Sequence, residues 1–136
     1  MGTLPPLSEE AIIAFARQWD PQPFHTDPEA AKKSIYGGLI ASGWQTALMT
    51  MRLLVDSVLN QTGTQGSPGV ENIRFRKPVR AGEKLAGRYT VLVAEPSAKR
   101  PTLGKILGRV ELINEAGDAV YQMDGWNLMT RRPEGA

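Results

Sequence analysis

An α+β fold, one long helix wrapped by a curved antiparallel sheet, follows from three features of the chain. Helical patterns occupy the first half, up to about Asn60, and an alternating period of two takes over from Asn72 to Met129. The longest helical stretch, "LIASGWQTALMTMRLLVDSVLN", is apolar nearly all round, with only Arg52 and Asp56 charged. A helix apolar on most faces has to be covered on most faces. A single sheet of about four strands curved around it provides that cover.

Each element has a local reason. In "SEEAIIAFARQW", Ser8 suits an N-cap, and Glu9 and Glu10 set negative charge at the positive end of the helix dipole. Ile12, Phe15, Ala16 and Trp19 fall on one stripe, which predicts that all four are buried. Leu7 can pack back on Ile12 as a hydrophobic staple. Pro21 disfavours helical geometry at Asp20 and ends the helix there. "TDPEAAKK" predicts a second, short helix with Asp27 as N-cap and Pro28 at its first position. The long helix follows, and "QTGTQGSPG" is a loop.

Ile73 and Phe75 then alternate with Asn72, Arg74 and Arg76. "KPVRAGEKL" turns into a strand whose Tyr89, Val91 and Val93 are expected to share a face. "EPSAKRPTLG" is a loop, and Ile106, Val110 and Leu112 alternate with Leu107, Arg109 and Glu111. "NEAGD" turns the chain into a last strand from Val120 to Met129. One sheet around one helix is the hot-dog architecture. The 136 residues suit one domain, 1–136, with no internal repeat or boundary.

Composition excludes several function classes. With 41% hydrophobic and 22% charged residues the chain reads as globular, and no apolar run approaches a membrane span. "MGTLPP" is neither a signal peptide nor a myristoylation site. No cysteine is present, so there is no disulfide, thiolate zinc site or cysteine nucleophile. The cytoplasm is the expected compartment. One histidine is too few for an ordinary zinc or non-haem iron site. Net charge is +2, but residues 71–109 hold ten Lys/Arg against three Glu. That excess reads as a solvated sheet face, a seat for a polyanionic substrate tail, or a nucleic-acid surface. The last lacks a recognition helix or an aromatic platform.

The only histidine, His25, stands five residues after Asp20 in "DPQPFHTDPEAA". Fully extended, five residues span about 17 Å, so shared chemistry needs a bend, and Pro21 and Pro23 stiffen the segment. A carboxylate and an imidazole at one water can take its proton and return it elsewhere. The plain alternative is a histidine capping the next helix beside a surface aspartate, because D-x₄-H arises often by chance. Downstream, "GGLIASGW" leads into the long helix. Free N–H groups near Gly43 then lie at its positive end and can hold a developing oxyanion. The alternative for Gly43 is close packing of helix on sheet.

Taken together, "IIAFARQWDPQPFHTDPEAAKKSIYGGLIASGWQTALM" and "KPVRAGEKL" resemble the MaoC-like dehydratases, the (R)-specific enoyl-CoA hydratase group of hot-dog proteins. The resemblance covers nearly the whole chain. It implies Asp20 and His25 as a catalytic dyad, Gly43 as the backbone donor to the thioester oxygen, and Gln22 and Ser42 as further substrate-binding positions. The implied reaction is reversible syn addition of water to a trans-2-enoyl thioester of coenzyme A or acyl-carrier protein, giving the (R)-3-hydroxyacyl product. It implies no cofactor, and a homodimer with paired sheets and sites near the interface.

The chain departs from the family at Trp19, where Gly is frequent, at Gln22, where Asn is, and at Ser42, where His is. Members also commonly carry an extra N-terminal strand, and only "MGTLPPL" precedes the first helix here. That strand is therefore expected to be dispensable or to lie upstream. Two other readings compete: a hot-dog acyl-CoA thioesterase, for which Asp56 is the only acid on the long helix, and a non-catalytic acyl-CoA-binding module. Lys99 and Arg100 are the cations expected to meet a donor's phosphates.

Overall fold

The computed structural model describes residues 1–132. A short strand β1 (Gly2–Leu4) is followed by helices α1 (Glu9–Trp19), α2 (Pro23–Thr26), α3 (Pro28–Lys32) and α4 (Gly43–Ser57). Strands β2 (Gly69–Phe75), β3 (Leu85–Pro96), β4 (Leu103–Ile113) and β5 (Ala119–Thr130) complete the chain. All pairings are antiparallel, in the order β1-β3-β4-β5-β2. Helix α4 packs against β1, β3 and β4, so the fold is the predicted hot-dog.

Local signals act as anticipated in the helices. Ser8 Oγ accepts from Ala11 N–H, and Leu7 joins Ile12 in the core cluster. Asp27 caps α3, accepting from Glu29 and Ala30 N–H. Ile12 and Ala16 are fully buried, but Trp19 is 65% exposed. It occupies the last position of α1, where the chain turns off at Asp20 instead of folding back over the ring. The long helix is also shorter than its apolar run: Leu39–Ala41 are not helical, and α4 starts at Gly43 behind the cap Ser42. The three residues Gly2–Leu4 do form a strand, pairing with Leu85–Gly87, so the brief start suffices for one.

Two departures lie in the sheet and in α4. A bulge at Leu92 gives Val91 and Val93 the adjacent partners Gly108 and Leu107, so Val93 leaves the face that Tyr89 and Val91 share. Helix α4 turns polar residues inward: Gln45, Thr46 and Thr50 are buried with Leu54. Thr46 and Thr50 donate to the carbonyls of Ser42 and Thr46, which makes their burial tolerable, whereas Gln45 Nε2 donates to Ala11 O but its Oε1 is buried without a protein partner. Its large apolar side chains Trp44, Leu48 and Met51 face outward at i, i+4 and i+7. The helix is therefore uncovered on one side in a single chain.

Four of the ten cations of the basic segment are taken up by ion pairs. Lys77, Arg88, Lys105 and Arg109 pair with Asp118, Glu111, Glu95 and Asp124. Asp124 is 2% exposed and receives two bonds from Arg109, at 2.8 and 3.0 Å, and one from Asn72 at 3.0 Å. The Arg109 bonds hold its pKa below the ordinary value against the opposing effect of burial, with help from Asn72. A carboxyl with a depressed folded pKa stabilises the fold above its unfolded pKa, about 3.9, and that stability is lost as pH falls through the depressed value. Asp124→Asn is thus expected to lower the thermal midpoint at pH 7 by roughly 5 °C. It should also flatten the acid limb of stability, and equal slopes in the two proteins would contradict this.

Candidate active site

The bend between Asp20 and His25 is built by α2, a single turn started by Pro23 behind Gln22. Asp20 closes α1, its N–H donating to Ala16 O, and His25 N–H donates to Gln22 O. His25 Nε2 then lies 3.3 Å from Asp20 Oδ2. His25 is buried, 5% exposed, and its ring sits edge-on to Phe24, with ring centroids 4.6 Å apart.

The ring's tautomer follows from its other nitrogen. Nδ1 is 2.7 Å from Ile40 O, and a carbonyl can only accept, so Nδ1 carries a hydrogen. In the neutral ring Nε2 is then the lone-pair nitrogen, turned toward the carboxylate. Burial would raise the Asp20 pKa, but the bonds from Gln22 and Ser42 and the nearby His25 outweigh it and hold the pKa below the ordinary value. Gln22 Nε2 donates to Oδ1 at 2.7 Å, and Ser42 Oγ donates to Oδ2 at 2.7 Å.

Gly43 opens α4 beside this pair. Its N–H has no hydrogen-bond partner among the described residues, while the next amide, Trp44 N–H, is taken by Ser42 Oγ at 3.2 Å. The free donor is at the positive end of a 15-residue helix. A cavity of about 430 Å³ is lined by Asp20, Gln22, His25, Gly43, Phe75 and Arg76, among others. Four of the five residues singled out by sequence meet there. Ser42 does not line it: its side chain is fully buried and turned to Asp20.

Other proteins resemble this chain in sequence or in fold. A MaoC like domain model matches residues 4–106. The chain belongs to the MaoC-like family. It is similar to the MaoC-like dehydratase from Rhodospirillum rubrum, at 39% identity and a TM-score of 0.86, over 97% of this chain and 91% of that one. R-hydratase PhaJ1 from Pseudomonas aeruginosa is 26% identical, with a TM-score of 0.69, over 96% of this chain and 78% of that one. Uncharacterized protein YdeM of Bacillus subtilis is 29% identical over 116 residues, covering 85% of this chain and 81% of that one.

Sequence reasoning missed three parts of this MaoC-like site. The Ile40 carbonyl that fixes the histidine tautomer is a backbone atom, which no side-chain pattern reveals. Phe75, read only as a strand residue, lies against Gly43: a Cβ built on Gly43 would be 2.7–3.0 Å from its ring carbons. The cations at the cavity are Arg76 and Lys77, not Lys99 and Arg100, which fall in the β3–β4 connection away from it. Their place at the exit of β2 was the available signal. Asp56, the acid a thioesterase reading needs, is 53% exposed, bonded to Arg52 near the far end of α4, and does not line the cavity.

Proposed function

We propose that this MaoC-like protein is an (R)-specific enoyl-CoA hydratase, or equally a 3-hydroxyacyl-thioester dehydratase, working without a cofactor in the cytoplasm. The observation that carries the reading is the meeting of Asp20, His25 and an unpartnered Gly43 N–H in one cavity. The thioester oxygen accepts from Gly43 N–H, so charge developing there as water adds to C3 meets a fixed donor. Asp20 and His25 hold the attacking water. Nε2 takes its proton as the oxygen bonds to C3, and the Asp20 carboxylate stabilises the imidazolium formed. The same proton returns to C2 from the same side, which makes the addition syn and leaves the dyad as it began. Gln22 lines the cavity and orients Asp20, and Arg76, whose bonded partner Gln122 is uncharged, is at hand for the donor's phosphates. The test is hydration of crotonyl-CoA by the wild-type chain; no turnover, with crotonyl-CoA still bound, would favour the non-catalytic acyl-CoA module.

The working unit in this reading is a homodimer. Strand β2 ends the sheet, and beside it run the exposed Trp44, Leu48 and Met51 of α4 with Val70 and Phe75 of β2. Trp44 and Phe75 touch, with centroids 5.6 Å apart, so the two rows form one apolar surface next to a free sheet edge. A second copy covers both needs at once and also closes over the cavity, whose lining includes Trp44 and Phe75. Light scattering is expected to give a dimer at micromolar concentration, and Leu48→Glu a monomer with much reduced turnover. A monomeric wild-type chain with full activity would contradict this.

A further inference from the structure

We propose that Ser42 is a positioning residue that keeps the Asp20–His25 pair open for water. The proposal rests on the dyad reading above and concerns a residue with no direct access to the cavity. The direction of its hydroxyl is determined: Trp44 N–H donates to Oγ at 3.2 Å, so the hydroxyl hydrogen is free to go to Asp20 Oδ2, at 2.7 Å. Ser42 is 0% exposed, and no other described acceptor bonds that hydrogen. One buried hydroxyl therefore ties the helix terminus bearing the Gly43 donor to a carboxylate 22 residues earlier.

The distances show what the tie does. Asp20 Oδ2 is shared between Ser42 at 2.7 Å and His25 Nε2 at 3.3 Å. Once Nε2 is protonated, a charge-assisted N–H···O bond to Oδ2 would ordinarily close to about 2.7–2.9 Å. Gln22 holds the other oxygen at 2.7 Å, so the carboxylate is fixed from two sides and cannot swing onto the imidazole. Without Ser42, Oδ2 is free to close on Nε2 when the ring takes up a proton. A tight ion pair would then occupy both groups that the water needs. The same link sets the dyad's height relative to the Gly43 N–H, because Ser42 is the cap of the helix that presents it.

The charged groups near Asp20 are few. His25 faces it from α2, the first turn of α4 carries no acid, and Arg76 and Lys77 at the end of β2 are bonded to Gln122 and Asp118. A titration change in a Ser42 variant therefore reports on the pair itself.

Ser42→Gly removes the hydroxyl yet leaves a serviceable N-cap, since glycine is among the residues tolerated at that position. Ser42→Thr keeps the hydroxyl. His25 is the only histidine, so its ring protons give one clean NMR titration without any substrate. The expected result for Ser42→Gly is a raised His25 titration midpoint, at least a tenfold lower kcat on crotonyl-CoA, and a nearly unchanged KM. Ser42→Thr should restore both readouts. An unmoved His25 titration in Ser42→Gly would overturn the proposal, as would a loss of kcat only in proportion to melting. If the wild-type chain does not hydrate crotonyl-CoA, the enzymatic reading fails, and the His25 titration still decides whether Ser42 holds the pair apart.

Discussion

Asp20→Asn and His25→Ala are each expected to lower hydration of crotonyl-CoA by about 10²–10⁴-fold, the usual worth of a general acid–base group. The two variants differ in structural cost. Asn fills the same space as Asp20 but leaves one of the Gln22 and Ser42 donors without an acceptor and gives up the stability tied to the depressed pKa, so it should melt slightly earlier. His25→Ala leaves a hole beside Phe24 and frees the Ile40 carbonyl, and it should melt earlier. Asp20→Asn therefore gives the cleaner kinetic reading. Because both groups act on one water, the double variant should lose little more activity than the worse single. Losses below tenfold in both singles would remove the dyad assignment.

Gly43→Ala is expected to reduce turnover by roughly tenfold or more, because a well-placed oxyanion donor contributes on the order of 3 kcal/mol and a methyl there crowds the carbonyl it serves. Helix propensity alone favours alanine by about 1 kcal/mol. Phe75 opposes that gain, since the new Cβ would lie 2.7 Å from its Cδ1 unless the ring turns. Phe75 is half exposed at the sheet edge, so the ring has room to turn in one chain and much less under a dimer partner. A fall in thermal midpoint with Gly43→Ala should accordingly be relieved in the Phe75→Ala background. Comparing activity with and without Gly43→Ala in that background separates the two roles. A persistent tenfold deficit marks an oxyanion donor, and a vanished deficit marks a packing glycine.

Much of this architecture was legible because local rules and burial agreed. Ser8 and Asp27 cap helices where their side chains suit the free N–H groups, and the period-two stretches became strands β2–β5. The meeting of Asp20 and His25 was readable as spacing plus two prolines, although the one-turn helix that folds the bend was not. The unread parts depend on distant contacts. Trp19 continues the stripe of α1 but has nothing over it, because burial depends on neighbours as well as period. The bulge at Leu92 moves Val93 off its face through a count of residues between paired strands, which one strand alone does not contain. The apolar run from Leu39 to Leu59 could not reveal that polar Gln45, Thr46 and Thr50 point inward and Trp44, Leu48 and Met51 outward. In the dimer reading, a second chain is the physical reason such an inversion is stable. Ser42 was legible as a neighbour of Gly43, but its partner Asp20 became visible only in the fold.

The most direct test of the central claim is the configuration of the product that the wild-type chain forms from crotonyl-CoA, measured beside Asp20→Asn in the same assay. The account predicts (R)-3-hydroxybutyryl-CoA as the sole enantiomer, with deuterium from D₂O added at C2 on the same face as the hydroxyl, and almost no product from Asp20→Asn. The (S) product, anti addition, or undiminished turnover by Asp20→Asn would contradict it.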